Sequence, residues 1–438
     1  MAELAETAPG QVAGGQTAQG RTSLGGLIRA TEINLRVFGM VLALLAINLG
    51  FGLLTNGRFL APENIVALSI QSATIAILAT GMVLIIVSRN IDLSVGSIVG
   101  VVAMSYALLM SRILPDLIGL NNPLMWIIAL GIGIAIGAFI GGFQGFIIAY
   151  IGVPSFVVTL GGLLALRGLV WVMSGGPTIA GLDQTFQLFG GGPRGSIGGT
   201  ASWVVGAMAS VAIVVLLIYN RRQRGRFGFP LRPMWAEVLV GAVGIAVVIG
   251  LVAYANAYLW PPGLVTQYAR EHGISPEGLR IESGIPWPLL LVVGVAIVMT
   301  FIATRLKFGR SVFAYGGNPE AAELAGINTR WTIMKTFILM GVLCAFAAAV
   351  ASARLNAATL DVGRSYELYV IAAAVIGGTS FAGGIGTVPG AILGALVMQS
   401  LAYGLSFIGL SSPYQDIAAG VVLVLAVALD AWNRRRAS

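Results

Sequence analysis

The sequence predicts an all-α, polytopic membrane protein, and three observations support this fold class. Of its 438 residues, 57% are hydrophobic and 10% are charged, with a mean hydropathy of +0.91, whereas about a quarter of the residues of a soluble protein are charged. Apolar stretches of about 20 residues, enough for a helix to cross the hydrocarbon layer, recur along the chain. Basic residues collect in alternate connections between these stretches. We therefore expect one membrane domain with about 10–12 transmembrane helices rather than several soluble domains.

The apolar stretches define the predicted elements in order. Residues 1–30 carry few large apolar side chains, which predicts a disordered tail before the membrane domain at 37–431. The predicted spans are 37–54, 64–87, 95–114, 125–151, 156–174, 203–220, 236–259, 287–304, 333–353, 369–381, 386–409 and 416–431. The tenth is short, and half of a broken helix is the alternative for it, since irregular backbone is tolerated at membrane depth inside protein.

The distribution of charge predicts the orientation of the chain. With the N-terminus on the inner side, the inner connections hold seventeen basic and eight acidic residues, a net charge of +9. The outer connections hold seven basic and nine acidic residues, a net charge of −2, and Arg167 lies within the fifth span. Because short cytoplasmic loops retain Lys and Arg, both termini are predicted to be cytoplasmic. The overall charge of +8 thus reports orientation, and no nucleic-acid partner is expected.

The rare residue types exclude several functions. The single cysteine, Cys344, and the single histidine, His272, allow neither a disulfide framework nor a Cys/His metal site. The two lysines, Lys307 and Lys335, do not follow the glycine spacing of a phosphate-binding GxxxxGK[ST] loop. We therefore expect no metal, no cofactor and no ATPase site on this chain, and no enzyme activity of its own.

One face of the fourth span consists of glycines spaced every four residues. Such a ridge allows another helix to approach closely, and a surface that slides during gating is the alternative interpretation. The residues of the ridge are Gly133, Gly137, Gly141 and Gly145.

The connection between the eighth and ninth spans carries its own helix signals. Asn318 can cap a helix, Pro319 suits its first position, and Gly326 can end it in a left-handed turn. The predicted two-turn helix at 318–327 is too short to be stable alone in water, so it needs a surface on which to dock. An ordinary capped loop is the alternative. The residues of the helix that we expect to take part in docking are Asn318, Glu320, Ala321, Ala322, Glu323 and Gly326.

These residues carry a family resemblance. Glu320-Ala321-Ala322 followed by Gly326 resembles the EAAxxxG signature of the permease subunits of bacterial ABC importers. Three further segments, at 90–100, 154–168 and 366–394, resemble the ribose/xylose class of monosaccharide permeases, and the likeness extends from about residue 40 to 431. Residues 221–286 add a basic loop, an extra span and a polar outer loop. Ribose-type permeases lack this insertion and D-xylose permeases have a comparable one, so the resemblance is closest to D-xylose permeases.

The resemblance implies a function and a set of partners. It implies a permease subunit in the bacterial inner membrane, forming the translocation pathway for a monosaccharide, foremost D-xylose. A separate ATPase subunit would grip residues 318–327 from the cytoplasm, a periplasmic sugar-binding protein would deliver the sugar, and two permease copies would form a homodimer. The same class of permease with another cargo, such as ribose, another sugar or a nucleoside, stays open. So does an ion-coupled secondary transporter, which would place paired ionisable residues near mid-membrane.

Polar residues within the spans are candidates for the sugar pathway, because they are costly in lipid. Each also has a structural interpretation: glutamine and threonine hydrogen-bond neighbouring helices, and an arginine near a helix end extends its charge to the interface. The pathway candidates are Gln71, Thr74, Gln144, Thr159 and Arg167.

Overall fold

The computed structural model describes residues 35–120 and 122–437, and it is almost entirely helical there. The predicted tail at 1–30 lies outside these residues. Two of the long helices contain a short π-helical turn, at Leu109–Ile113 and at Ile147–Ile151. In chain order, the elements are α1 (Leu35–Leu54), α2 (Pro62–Val87), α3 (Val95–Ile118), α4 (Met125–Ile151), α5 (Ser155–Ser174), β1 (Ile179–Ala180), α6 (Gln184–Gln187), α7 (Gly199–Arg226), α8 (Met234–Asn256), α9 (Pro262–His272), α10 (Trp287–Thr304), α11 (Lys307–Gly317), α12 (Pro319–Leu324), α13 (Thr329–Leu355), β2 (Ala357–Ala358), α14 (Tyr366–Ile376), α15 (Val388–Phe407) and α16 (Ser412–Ala437).

In the part of the chain that the structure describes, ten helices are long and apolar enough to cross a membrane. These are α1 to α5, α7, α8, α10, α13 and α15, while α14 and the apolar part of α16 are shorter. The predicted fold class, an all-α polytopic membrane protein, is confirmed. The predicted end of the tenth span at residue 381 is wrong, because α14 ends at Ile376. Gly378 follows in a left-handed conformation with φ +93°, which no helix can include.

Helix α2 is the central element of the bundle. It is apolar on all sides and almost completely buried, as expected for a helix without a polar face. Helices α10, α13, α14 and α15 pack around it. By contrast, α1, α5, α7 and α8 expose most of their apolar side chains, which suits them to contact lipid.

The glycine ridge of α4 packs against α13 and α3. A Cβ atom on Gly137 would overlap the carbonyl oxygen of Gly341 in α13, and a Cβ atom on Gly341 would overlap the carbonyl oxygen of Gly137. The backbones of the two helices therefore touch, which only glycine permits. The remaining ridge residues Gly133, Gly141 and Gly145 face Tyr106, Phe337 and Met334, respectively.

The two ends of the bundle differ in structure. At the end that we call the α12 end, α2 finishes close to α11 and the turn between α14 and α15: the Gly384 amide donates to the Val87 carbonyl at 3.0 Å. At the opposite end, β1 pairs with β2 in antiparallel fashion, with Ile179 opposite Ala358. Helices α7 and α8 form a peripheral hairpin that packs mainly on itself. Its turn, at residues 227–233, lies at the α12 end.

Candidate functional site

A polar cavity of about 550 Å³ lies between α2, α14, α15 and α16, at the end opposite α12. Gln71, in the first half of α2, and Tyr403, in the second half of α15, fix this position. The volume falls within the range of roughly 300–1,000 Å³ typical of small-molecule sites. The cavity is therefore the leading candidate for a binding site in the bundle.

The lining of the cavity has the chemistry of a site for an uncharged polar molecule. Its charged residues are two arginines and two aspartates, so their charges balance. Asp361 and Arg364 are paired at 3.3 Å, although both are largely exposed. Three amides and three phenol rings offer hydrogen bonds and flat apolar faces, which suit a polyhydroxylated ligand. The principal lining residues are Gln71, Arg354, Asp361, Arg364, Tyr366, Tyr369, Gln399, Tyr403, Gln415 and Asp416.

Helix α15 supplies a polar face that the sequence analysis missed. Gln399, Tyr403 and Ser406 line the cavity, and their spacing of four and three residues places them on one side of a helix. The signal was present in the sequence as polar residues at helical spacing within an apolar stretch.

The segment between α13 and α14 forms one wall of the cavity and contains a backbone contact with α3. A Cβ atom on Gly363 would overlap the carbonyl oxygen of Gly96, at the start of α3, and a Cβ atom on Gly96 would overlap the carbonyl oxygen of Gly363. Gly363 also has φ +81°, a conformation that favours glycine. The contact therefore fixes the segment that carries Asp361 and Arg364.

The two contacting segments are alike in sequence. Leu93-Ser94-Val95-Gly96 spans the start of α3, and Leu360-Asp361-Val362-Gly363 precedes α14. Each follows a long buried helix, α2 or α13. This internal repeat escaped the sequence analysis because four residues are too few to stand out until the structure brings them into contact.

Of the five pathway candidates, the structure brings only Gln71 to the cavity. Thr74 is buried within the same helix. Gln144 accepts a hydrogen bond from Ser94 Oγ at 2.9 Å, and Thr159 Oγ1 donates to the Ser155 carbonyl at 2.8 Å. These last two hydrogen bonds lie within and between helices, away from the cavity lining.

Arg167 lies behind the cavity wall rather than in its lining. Its guanidinium donates to the carbonyl oxygens of Leu360 and Gly363, both at 3.3 Å, and to that of Val362 at 3.5 Å. One side chain on α5 thus holds successive carbonyls of the segment that carries Asp361 and Arg364.

Replacing Arg167 with glutamine should loosen this segment, because glutamine cannot reach all three carbonyl groups. Hydrogen bonds to a charged group contribute about 1.5 kcal/mol or more, so amide exchange at residues 360–363 should become about tenfold faster. Hydrogen exchange measured by mass spectrometry tests this. Arg112→Gln, which changes an exposed arginine in α3, is the matched control. Equal exchange in both variants would show that Arg167 does not hold the wall.

At the other end of the bundle, helix α12 is short and capped. Asn318 Oδ1 accepts from the Ala321 amide at 3.0 Å, and Gly326 follows the helix with φ +79°. Ala322 is buried against the bundle, whereas Leu324 is 90% exposed. On this helix of six residues, Leu324 therefore presents an apolar side chain that the rest of the bundle does not cover.

Two hydrogen bonds join the end of α2 to the end of α11, directly before α12. Arg89, just after α2, donates from Nε to the Gly316 carbonyl at 2.8 Å and from Nη2 to the Gly317 carbonyl at 2.9 Å. These carbonyls end α11, directly before the Asn318 cap. Burial raises the pKa of neighbouring Tyr315, with a further rise from Glu323 of α12 and a decrease from Arg89. The end of α11, directly before α12, is therefore bonded to the end of α2, whose other half lines the cavity.

A bundle of apolar helices with a polar cavity at one end and an exposed short helix at the other is an architecture that suits a membrane permease. Residues 64–234 and 201–427 match the family described as branched-chain amino acid transport system / permease component. The chain belongs to this family.

Several relatives of the chain are sugar permeases. It is 35% identical over 412 residues to the xylose transport system permease protein of Escherichia coli, covering 94% of this chain and 96% of that protein. Identity to the corresponding protein of Haemophilus influenzae is 34%, over 94% of this chain and all of that protein. The galactose/methyl galactoside import permease protein of Escherichia coli is 27% identical, over 91% and 95% of the two chains. No solved structure gives a significant match. The chain is thus a multi-pass permease of the bacterial inner membrane.

Proposed function

We propose that this chain forms the translocation pathway for D-xylose in an ATP-driven importer, and that the polar cavity receives the sugar. The observation that carries the proposal is the lining of the cavity. Its charges balance, and its amides and phenol rings suit hydroxyl groups and a C–H face. Identity of 35% to a xylose permease, against 27% to a galactose permease, supports the pentose.

We assign ATP hydrolysis to a separate subunit that docks on α12. The exposed Leu324 and the acidic residues Glu320 and Glu323 would enter a groove of that subunit. The excess of basic residues in the connections at this end supports a cytoplasmic location. Closure of the ATPase would move α12 and, through Arg89, the central helix α2. ATP would thereby bias the equilibrium between two states of the cavity.

Two further partners complete the proposed importer. The cavity opens at the end opposite α12, where a periplasmic binding protein would release its sugar. A second copy of the chain would complete the pathway in a homodimer. Helices α5 and α16 expose apolar side chains. These faces are available for an interface between the two copies.

Uptake in vesicles tests the proposal directly. The purified chain is reconstituted with its ATPase and binding protein, and uptake of labelled D-xylose, ribose, galactose, a nucleoside and leucine is compared. We expect ATP-dependent uptake with D-xylose preferred. Gln399→Ala should reduce uptake about tenfold, since one lost hydrogen bond with an unpaired sugar hydroxyl costs about 1–3 kcal/mol. Ser210→Ala, on the peripheral helix α7, is the control. Uptake driven by an ion gradient without the ATPase would overturn the proposal.

A further inference from the structure

The turn of the α7–α8 hairpin concentrates positive charge at the edge of the bundle. Residues 221–232 contain five arginines, and Glu237 is the one acidic residue between 221 and 237, which leaves a net charge of +4. Both helices are peripheral and pack mainly on each other. This charge therefore lies where the protein meets the surrounding bilayer.

One of the five arginines has a structural role. Arg221 Nη1 donates to Glu237 Oε2 at 2.7 Å and to the carbonyl oxygen of Arg232 at 3.3 Å. These contacts connect α7, the turn and α8, and the charge of Glu237 is balanced by Arg221. The other arginines, Arg222, Arg224, Arg226 and Arg232, supply the excess positive charge.

A cleft beside these arginines combines charge with exposed aromatic rings. It has a volume of about 470 Å³ and is lined by Gln223, Arg224, Phe227, Phe229 and Pro230. Phe227 and Phe229 are 66% and 62% exposed. Arginines beside exposed apolar rings at the end of a membrane helix suit the depth at which anionic headgroups meet acyl chains.

The length of α7 places the cleft at that depth. Its 28 residues extend about 42 Å at 1.5 Å per residue, beyond the hydrocarbon layer of about 30 Å. The last turns, which carry the arginines, therefore reach the headgroup region. Below them, α7 and α8 expose apolar side chains to lipid, including Val215, Leu216 and Leu239.

We propose that the turn of this hairpin is a binding site for an anionic phospholipid. The arginines hold the headgroup phosphate through charge-assisted hydrogen bonds, and the acyl chains lie along the exposed faces of α7 and α8. Charge complementarity selects this occupant, because a zwitterionic lipid gains little from a net charge of +4. The site is independent of the sugar pathway and of α12.

Lipid binding to the purified full-length chain tests the site. Native mass spectrometry in detergent measures the binding of phosphatidylglycerol and, in parallel, of phosphatidylcholine. Arg222 and Arg226 are both exposed, and replacing both with glutamine should weaken phosphatidylglycerol binding about tenfold, since each basic residue near an anionic surface contributes substantially to attraction. Replacing both with lysine should preserve most of the binding. Phosphatidylcholine should bind weakly to every form.

The matched control removes two arginines from the opposite end of the molecule. Arg270→Gln with Arg280→Gln changes two exposed residues near α9 and should leave phosphatidylglycerol binding unchanged. Equal losses in both double variants would overturn the site, and so would unchanged binding in the Arg222 and Arg226 glutamine variant. Displacement of the lipid by inorganic phosphate at constant ionic strength would assign the site to a free anion and also refute the proposal.

Discussion

Replacing Leu324 with aspartate is expected to reduce ATP-dependent uptake strongly while leaving the permease folded. Leu324 is 90% exposed, so the bundle loses no packing. If α12 enters a groove of the ATPase, the new carboxylate must be buried there without a partner. Loss of one of the few contacts that dominate an interface costs about 2 kcal/mol or more, which lowers affinity about 30-fold. Uptake and ATPase activity are measured in reconstituted vesicles, with the apparent melting temperature as the measure of folding.

The control for this change is Leu120→Asp. Leu120 is 79% exposed and lies in the connection between α3 and α4, at the end opposite α12. It should keep coupled uptake. Gly326→Val provides an independent perturbation of the same helix end, because valine tolerates φ +79° poorly. If the Leu324 variant transports normally, the apolar tip of α12 does not dock on the ATPase.

The features that could be predicted correctly from the sequence are those determined by a few neighbouring residues in the chain. Asn318 caps α12 through its side-chain oxygen, and Gly326 adopts the left-handed conformation after it because glycine has no Cβ atom. Apolar stretches became helices because, in lipid, a backbone must satisfy its own hydrogen bonds. These features depend on few neighbouring residues, and so they can be inferred without knowledge of the packing.

The cavity could not be predicted in the same way, because it depends on how distant segments meet. Gln71 and Tyr403 are more than 300 residues apart, and their convergence follows from the packing of α15 on α2. Polarity alone is an ambiguous guide, since Thr159 uses its hydroxyl within its own helix. Arg167 shows a third outcome: its cost in the membrane is offset by backbone carbonyls of the cavity wall rather than by a ligand.

Helix α13, which packs against α4, runs from the α12 end of the molecule to the cavity wall. Helix α13 begins just after α12 and ends just before the cavity wall at residues 356–365. Its alignment therefore determines how α12 is placed relative to the cavity. The glycine ridge fixes that alignment at the point of closest approach. There the backbone of Gly137 lies against the carbonyl oxygen of Gly341, and the backbone of Gly341 lies against that of Gly137.

Replacing Gly137 with valine should therefore cause a large loss of stability. The added side chain must displace the backbone of α13, and overpacking of a well-filled core typically costs about 1–3 kcal/mol, occasionally more. We expect a cost at or above the upper end of that range, seen as a lower apparent melting temperature and a smaller yield of monodisperse protein. Gly131→Val is the matched control in the same helix, because a Cβ atom there has no neighbour within 4 Å. Equal stability of the two variants would show that α4 and α13 do not pack through the glycine ridge.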